Sequence, residues 1–260
     1  MKKINVLFVC LGNICRSPMA EFILKDIVRK QNLEDRFHIE SAATSYEEEG
    51  NDIYYLAREK LIEKNINFTK RRARRIEKED YDKFDFIIGM EESNIRNIKR
   101  IIGDKDSKIY KLLDFTNDNK DIDDPWYTGR FEEVYNQIKF GCEKFIDSVY
   151  NYDYIGTNVK ATIDRKKGDP HPKYPQSIYP INYGYVPGVI SGDGKDLDVY
   201  VLGEERPLEE VEGKCIAIIH RVNDNDDKLV ISANGEDFTI DEIKNQTNFI
   251  EQYFKSIVIK

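Results

Sequence analysis

The chain has 260 residues, 40% hydrophobic and 34% charged, enough apolar material for two cores of ordinary size; collagen-like, disordered and membrane-spanning readings are excluded. The formal net charge of −8 lacks the basic field of a general nucleic-acid binder. Four cysteines, at 10, 15, 142 and 215, are too few and scattered for a disulfide framework, and the apolar run at 4–9 is too short for a membrane span, so a cytoplasmic protein with neither nucleic-acid nor membrane partners is expected.

The first half alternates strand and helix signals. Residues 5–9 read as a short buried strand, followed by Gly12, Ser17 and Pro18 and then a helix over 19–30 with Ala20, Ile23, Leu24 and Ile27 at helical spacing. A strand at 37–41, a helix at 53–64, an apolar run at 84–90, a helix near 93–101, a strand at 108–113 and a helix at 131–149 follow. This order predicts an α/β fold: a four-stranded parallel sheet with helices on both faces. Ligands in such folds bind beyond the carboxyl ends of the strands, where Cys10 stands. Near Tyr150 the character changes. Gly and Pro multiply between short runs at 159–163, 197–202, 215–220 and 228–231, with one helix near 241–254. That pattern predicts a small, OB-like β-barrel with a late helix, and domains over 1–150 and 151–260.

The segment Cys10-Leu11-Gly12-Asn13-Ile14-Cys15-Arg16-Ser17-Pro18 lies directly after a strand and before a helix. A cysteine, five residues and an arginine in that setting suit a phosphate-binding nucleophile loop. Converging backbone N–H groups and a helix N-terminus make a nest for a phosphoryl dianion, and the same field favours thiolate at Cys10. Arg16 can grip two phosphoryl oxygens with its fork, and Ser17 can donate to the sulfur. The plain alternative is a buried structural cysteine before an ordinary helix start.

This loop resembles that of the low-molecular-weight protein-tyrosine phosphatases, and the resemblance covers the whole first half. It implies that Cys10, Arg16, Ser17 and Asp124 are catalytic. Asp124, in Asp124-Pro125-Trp126-Tyr127, would be the general acid and then the general base. Gly12, Asn13, Ile14 and Cys15 would line the phosphate site, and Trp126 and Tyr127 would wall the cleft for a phosphotyrosine-containing protein, with no cofactor. Other landmarks are Ser41-Ala42-Ala43-Thr44-Ser45 and Met90-Glu91-Glu92-Ser93-Asn94. Two positions depart from the family pattern: Ala43 stands for a usual Gly, and Arg71 for a common His. Arsenate reductases of this fold need further cysteines, absent from 81–90, and arginine phosphatases carry Thr where Ile14 stands. Cys15 is either a protective disulfide partner for Cys10, as the family implies, or a passive small side chain.

In the second half, Asp193, Asp196 and Asp198 fall within six residues at a Gly-rich turn, and Asp224, Asp226 and Asp227 precede Lys228. Such carboxylates suit Mg²⁺, although a solvated acidic turn is the ordinary explanation. The string Tyr179-Pro180-Ile181-Asn182-Tyr183-Gly184-Tyr185 resembles the soluble family I inorganic pyrophosphatases from about residue 152 onward. The resemblance implies metal ligands Asp193, Asp198, Asp226 and Asp224, and phosphate contacts from Lys160, Tyr179, Tyr183 and Lys228. Lys195 and Thr162 replace two family carboxylates. The expected function is a bifunctional phosphohydrolase, acting on phosphotyrosine through a cysteinyl-phosphate and on pyrophosphate with Mg²⁺. The alternative makes the second half a pyrophosphate- or nucleotide-binding module without turnover.

Overall fold

The computed structural model describes residues 3–260. It divides into two compact units, Met1–Asp147 and Ser148–Lys260.

In the first unit, strand β1 (Ile4–Cys10) lies between β2 (Phe37–Ala43) and β3 (Phe86–Gly89), with β4 (Ile109–Lys111) beyond β3. All pairings are parallel. Val6, Leu7, Phe8 and Val9 are completely buried, so both faces of β1 are covered, as a near-continuous apolar run requires of a parallel strand. On one face Leu7, Val9 and Ile87 pack with Ile95 and Ile98 of a helix at Glu92–Ile102 (α4, after α1 Arg16–Lys30, α2 Tyr55–Glu63 and α3 Lys78–Lys83). On the other, Phe86 meets Phe145 edge to face at 5.1 Å. Phe145 belongs to α6 (Phe131–Ser148), which follows the short α5 (Pro125–Thr128). The fourth strand is shorter than its apolar run suggests: Asp114 accepts from the Lys111 N–H at 2.8 Å and turns Leu112–Phe115 into a 3₁₀ helix. α3 was not expected; its capping box between Glu77 and Asp80, not an apolar stripe, starts it.

In the second unit, β5 (Asn158–Arg165), β6 (Asn182–Ile190), β7 (Asp196–Leu202), β9 (Lys228–Ser232) and β8 (Glu210–Arg221) pair in that order. β8 also pairs with β5, closing a five-stranded barrel. Helix α7 (Ile240–Glu251) contributes Ile243 and Phe249 to the core around Tyr200, Ile219 and Val230, and begins at a capping box of Thr239 and Glu242. A final strand, β10 (Ser256–Ile259), adds antiparallel to β8. Neither β6 nor β10 was expected.

Candidate active site

Cys10 is the last residue of β1, and Arg16 the first of α1, so the five residues between form a loop at the carboxyl edge of the sheet. α1 has no side-chain cap and no acidic residue in its first turn, leaving its leading N–H groups available to an anion. Cys10 Sγ lies 3.0 Å from Ser17 Oγ and accepts the Asn13 N–H at 3.3 Å. Asn13 stands at φ +57° and donates its side-chain amide to Ser17 Oγ at 2.8 Å and Ser41 Oγ at 2.9 Å. The Ser41 landmark is thereby tied to the loop.

Arg16 is 1% exposed. Its Nη1 donates to the Ile122 carbonyl at 2.9 Å, and its Nη2 to Glu91 at 3.1 Å and Asp124 at 2.5 Å. Burial opposes the guanidinium charge, yet Cys10, Asp124 and Glu91 outweigh it and raise its pKa. The Arg16 Nε is buried with no hydrogen-bond partner among the described residues, which leaves a donor available to a ligand. Asp124 caps α5 through the Trp126 N–H at 3.1 Å. One cleft is lined by Cys10, Leu11, Gly12, Ile14, Cys15, Arg16, Glu47, Glu48, Asp124, Trp126 and Tyr127. All the residues expected in the phosphatase site thus share one neighbourhood, and Trp126 and Tyr127 are 50% and 77% exposed at its mouth.

Other residues enter the site that the sequence reading did not single out. Glu91, from the second landmark, holds Arg16. Tyr54 packs on Trp126 with ring centres 4.6 Å apart. Glu47 and Glu48 sit at the rim. Only the landmark around Glu91 offered a signal; the others reach the cleft through long-range folding. All four cysteines are free and buried. Burial, then the charges of Cys10 and Asp124, pushes the Cys15 thiol up; burial raises Cys142 as well, and raises Cys215 to about 12.

In the second unit the parallel register sets Asp198 opposite Lys228. The 1%-exposed Lys228 ammonium donates to Asp198 at 2.5 Å and also to Asp226. Tyr183 is pushed up by burial and then by Asp198; Tyr179 is raised by burial, with Arg165 opposing. Asp226 is raised by burial, with Lys228 opposing and Asp198 assisting.

The four expected metal ligands do not come together. Asp193 is turned onto Lys195 at 2.9 Å, and Asp224 faces Arg221 at 3.7 Å. Only Asp198 and Asp226 converge, and they do so on Lys228. Among the described residues no group of three or more His, Cys, Asp or Glu is placed to hold a metal ion. The donor set does not fit a ready-made Mg²⁺ cage, because a buried ammonium takes the charge-balancing place between its two best carboxylates. Lys160, expected on phosphate, pairs instead with Glu210 at 2.9 Å on the exposed surface.

Residues 5–154 match the family model for low molecular weight phosphotyrosine protein phosphatase, and residues 154–258 that for inorganic pyrophosphatase. The low molecular weight protein-tyrosine-phosphatase YfkJ of Bacillus subtilis is 44% identical over 149 residues, covering 56% of this chain and 96% of that protein. PtpA of Staphylococcus aureus is 37% identical over 147 residues, covering 56% and 94%. The crystal structure of YfkJ superposes with a TM-score of 0.57 at 42% identity, covering 58% of this chain and 98% of that one. Through residues 5–154, the chain belongs to the low molecular weight phosphotyrosine protein phosphatase family.

Proposed function

We propose that the first unit hydrolyses phosphotyrosine in proteins through a cysteinyl-phosphate. The observation that carries this is the buried Arg16 guanidinium, with its partnerless Nε, beside Cys10 at the uncapped start of α1. A phosphoryl dianion entering the nest would take that donor and the loop N–H groups. Cys10 Sγ would attack phosphorus, and Asp124 would protonate the departing phenolate oxygen. Water, deprotonated by the same carboxylate, would then cleave the S–P bond, with Ser17 donating to the leaving sulfur. The positive charge comes from the chain itself, so no metal is called for. Ile14, Trp126 and Tyr127 supply an apolar and aromatic surface suited to an aryl group. Cys10→Ser is expected to abolish aryl-phosphate hydrolysis while the melting temperature stays near that of the wild type. A mutant keeping more than a small fraction of the activity removes the assignment. Free thiols suit a reducing, cytoplasmic setting.

For the second unit, the match to inorganic pyrophosphatase supports Mg²⁺-dependent hydrolysis of pyrophosphate. The placement of Lys228 between Asp198 and Asp226 favours the other reading, a pyrophosphate-binding module. Release of phosphate from pyrophosphate, with Mg²⁺ and with chelator, separates them: metal-dependent release supports the first, and binding without release the second.

A further inference from the structure

No motif in the sequence points to Arg221. It is the last residue of β8, 3% exposed, and sits between two carboxylates. Its Nε donates to Glu251, at the end of α7, and its Nη2 donates to the same carboxylate at 2.6 Å. Its Nη1 donates to Asp226 Oδ2 at 3.2 Å. The Phe254 ring lies against the guanidinium, with the ring centre 3.6 Å from the guanidinium carbon. Glu251 also accepts from the Tyr200 hydroxyl at 2.8 Å. From the other side, Lys228 donates to the same Asp226 Oδ2 and to Asp198. Carboxylates and cations therefore alternate in one row: Asp198, Lys228, Asp226, Arg221, Glu251.

We propose that Arg221 takes the place of a divalent metal ion in the second unit: with Lys228 it neutralises the carboxylates from within the chain, and the unit holds no Mg²⁺ at them. The inference deepens the binding-module reading above. A hard divalent ion needs several free oxygens at once. Here Asp226 Oδ2 is met from both sides by positive charges, and an ion bound to it would stand beside both. An ammonium on a flexible stem could swing away to admit the ion. The guanidinium is fixed, with its fork on Glu251, its face on Phe254, and water excluded. It also keeps its charge across the working pH range. The charges count the same way. Two cations face three carboxylates in the row and leave one negative charge, which a divalent ion would turn into one positive charge. The more exposed Asp224, 3.7 Å from Nη1, adds a charge that solvent screens.

The test uses the full-length chain as wild type, Arg221→Met, Asp226→Asn and the double variant Arg221→Met/Asp226→Asn. Mn²⁺ is the probe ion; its uptake is read from loss of the free-ion paramagnetic resonance signal, and thermal melting is followed with and without it. The wild type is expected to take up no Mn²⁺ at ~0.1 mM and to melt at the same temperature either way. Arg221→Met should melt lower, because it leaves buried carboxylates without their partner. It should also gain a Mn²⁺ site at least about tenfold tighter than any in the wild type. Mn²⁺ should raise its melting temperature, and the double variant should lose the gain. A wild-type Mn²⁺ site that disappears in Asp226→Asn overturns the proposal, and so does a folded Arg221→Met that gains none. If Arg221→Met does not fold, wild type and Asp226→Asn decide: an Asp226-dependent site overturns the proposal, and no uptake by either supports it. Calorimetry with pyrophosphate tests the binding-module reading separately. A wild type that binds neither pyrophosphate nor Mn²⁺ removes that reading and leaves the proposal standing. One that binds Mn²⁺ through Asp226 removes the proposal whether or not pyrophosphate binds.

Discussion

Asp124 is held from two sides. Its Oδ1 caps α5 on the Trp126 N–H, and its Oδ2 meets Arg16 Nη2 at 2.5 Å. A phosphoryl group drawing on the Arg16 donors would compete for the second contact, releasing that oxygen to face the leaving group. Glu91, 3.1 Å from the same Nη2, would keep the guanidinium oriented meanwhile. Asp124→Asn keeps a cap-competent oxygen and removes the acid–base group that the proposed mechanism uses. Its effect on rate is therefore expected to be graded: slight for aryl phosphates with acidic phenols, and growing toward the 10²–10⁴-fold range for basic ones. Rates across a leaving-group series check this. A uniform loss would reduce Asp124 to a helix cap.

Strand β6 shows why an element can be invisible locally. Gly184, Pro187 and Gly188 punctuate it, and such residues ordinarily mark turns. Its pairing with β7 is irregular between Val186 and Ile190, where Pro187 and Gly188 fall. Gly184 has a different reason. A Cβ there would stand 1.9 Å from the Thr162 carbonyl oxygen and 2.8 Å from Ile163 Cα, both backbone atoms of β5. Gly184→Ala must push the two strands apart. A loss of roughly 2–3 kcal/mol is expected, read as a lower denaturant midpoint for the barrel with aryl phosphatase activity kept. An unchanged midpoint would mean that β5 and β6 do not approach this closely. The parallel sheet was legible because each of its strands is a compact apolar run followed by a helical pattern. The loop was legible because its residues are contiguous from Cys10 to Ser17. Tyr54 and Glu48 were not, since only tertiary structure brings them to the loop. The ligand set Asp193, Asp198, Asp224 and Asp226 came from the family resemblance, which does not say which cation each carboxylate meets: Asp193 lies on Lys195, Asp224 faces Arg221, and Asp198 and Asp226 share Lys228.

Across the whole molecule, we propose that the two units carry separate chemistries, divided near residue 150. Arg16 and the loop N–H groups supply the positive charge of the first, so a chelator is expected to leave aryl-phosphate turnover nearly intact. Loss of that activity with chelator would mean the first site depends on a metal after all. The sulfur atoms are likewise divided, Cys10, Cys15 and Cys142 in one unit and Cys215 in the other, and burial suppresses ionisation at Cys15, Cys142 and Cys215 alike. Thiolates, not thiols, attack electrophiles. Three of the four sulfurs are therefore expected to be spectators toward an alkylating reagent near neutral pH. Incorporation is expected to stop at one label per chain, on Cys10, and inorganic phosphate should shield it. Mass spectrometry of the labelled chain would then count competent sites in a preparation directly, without a turnover assay.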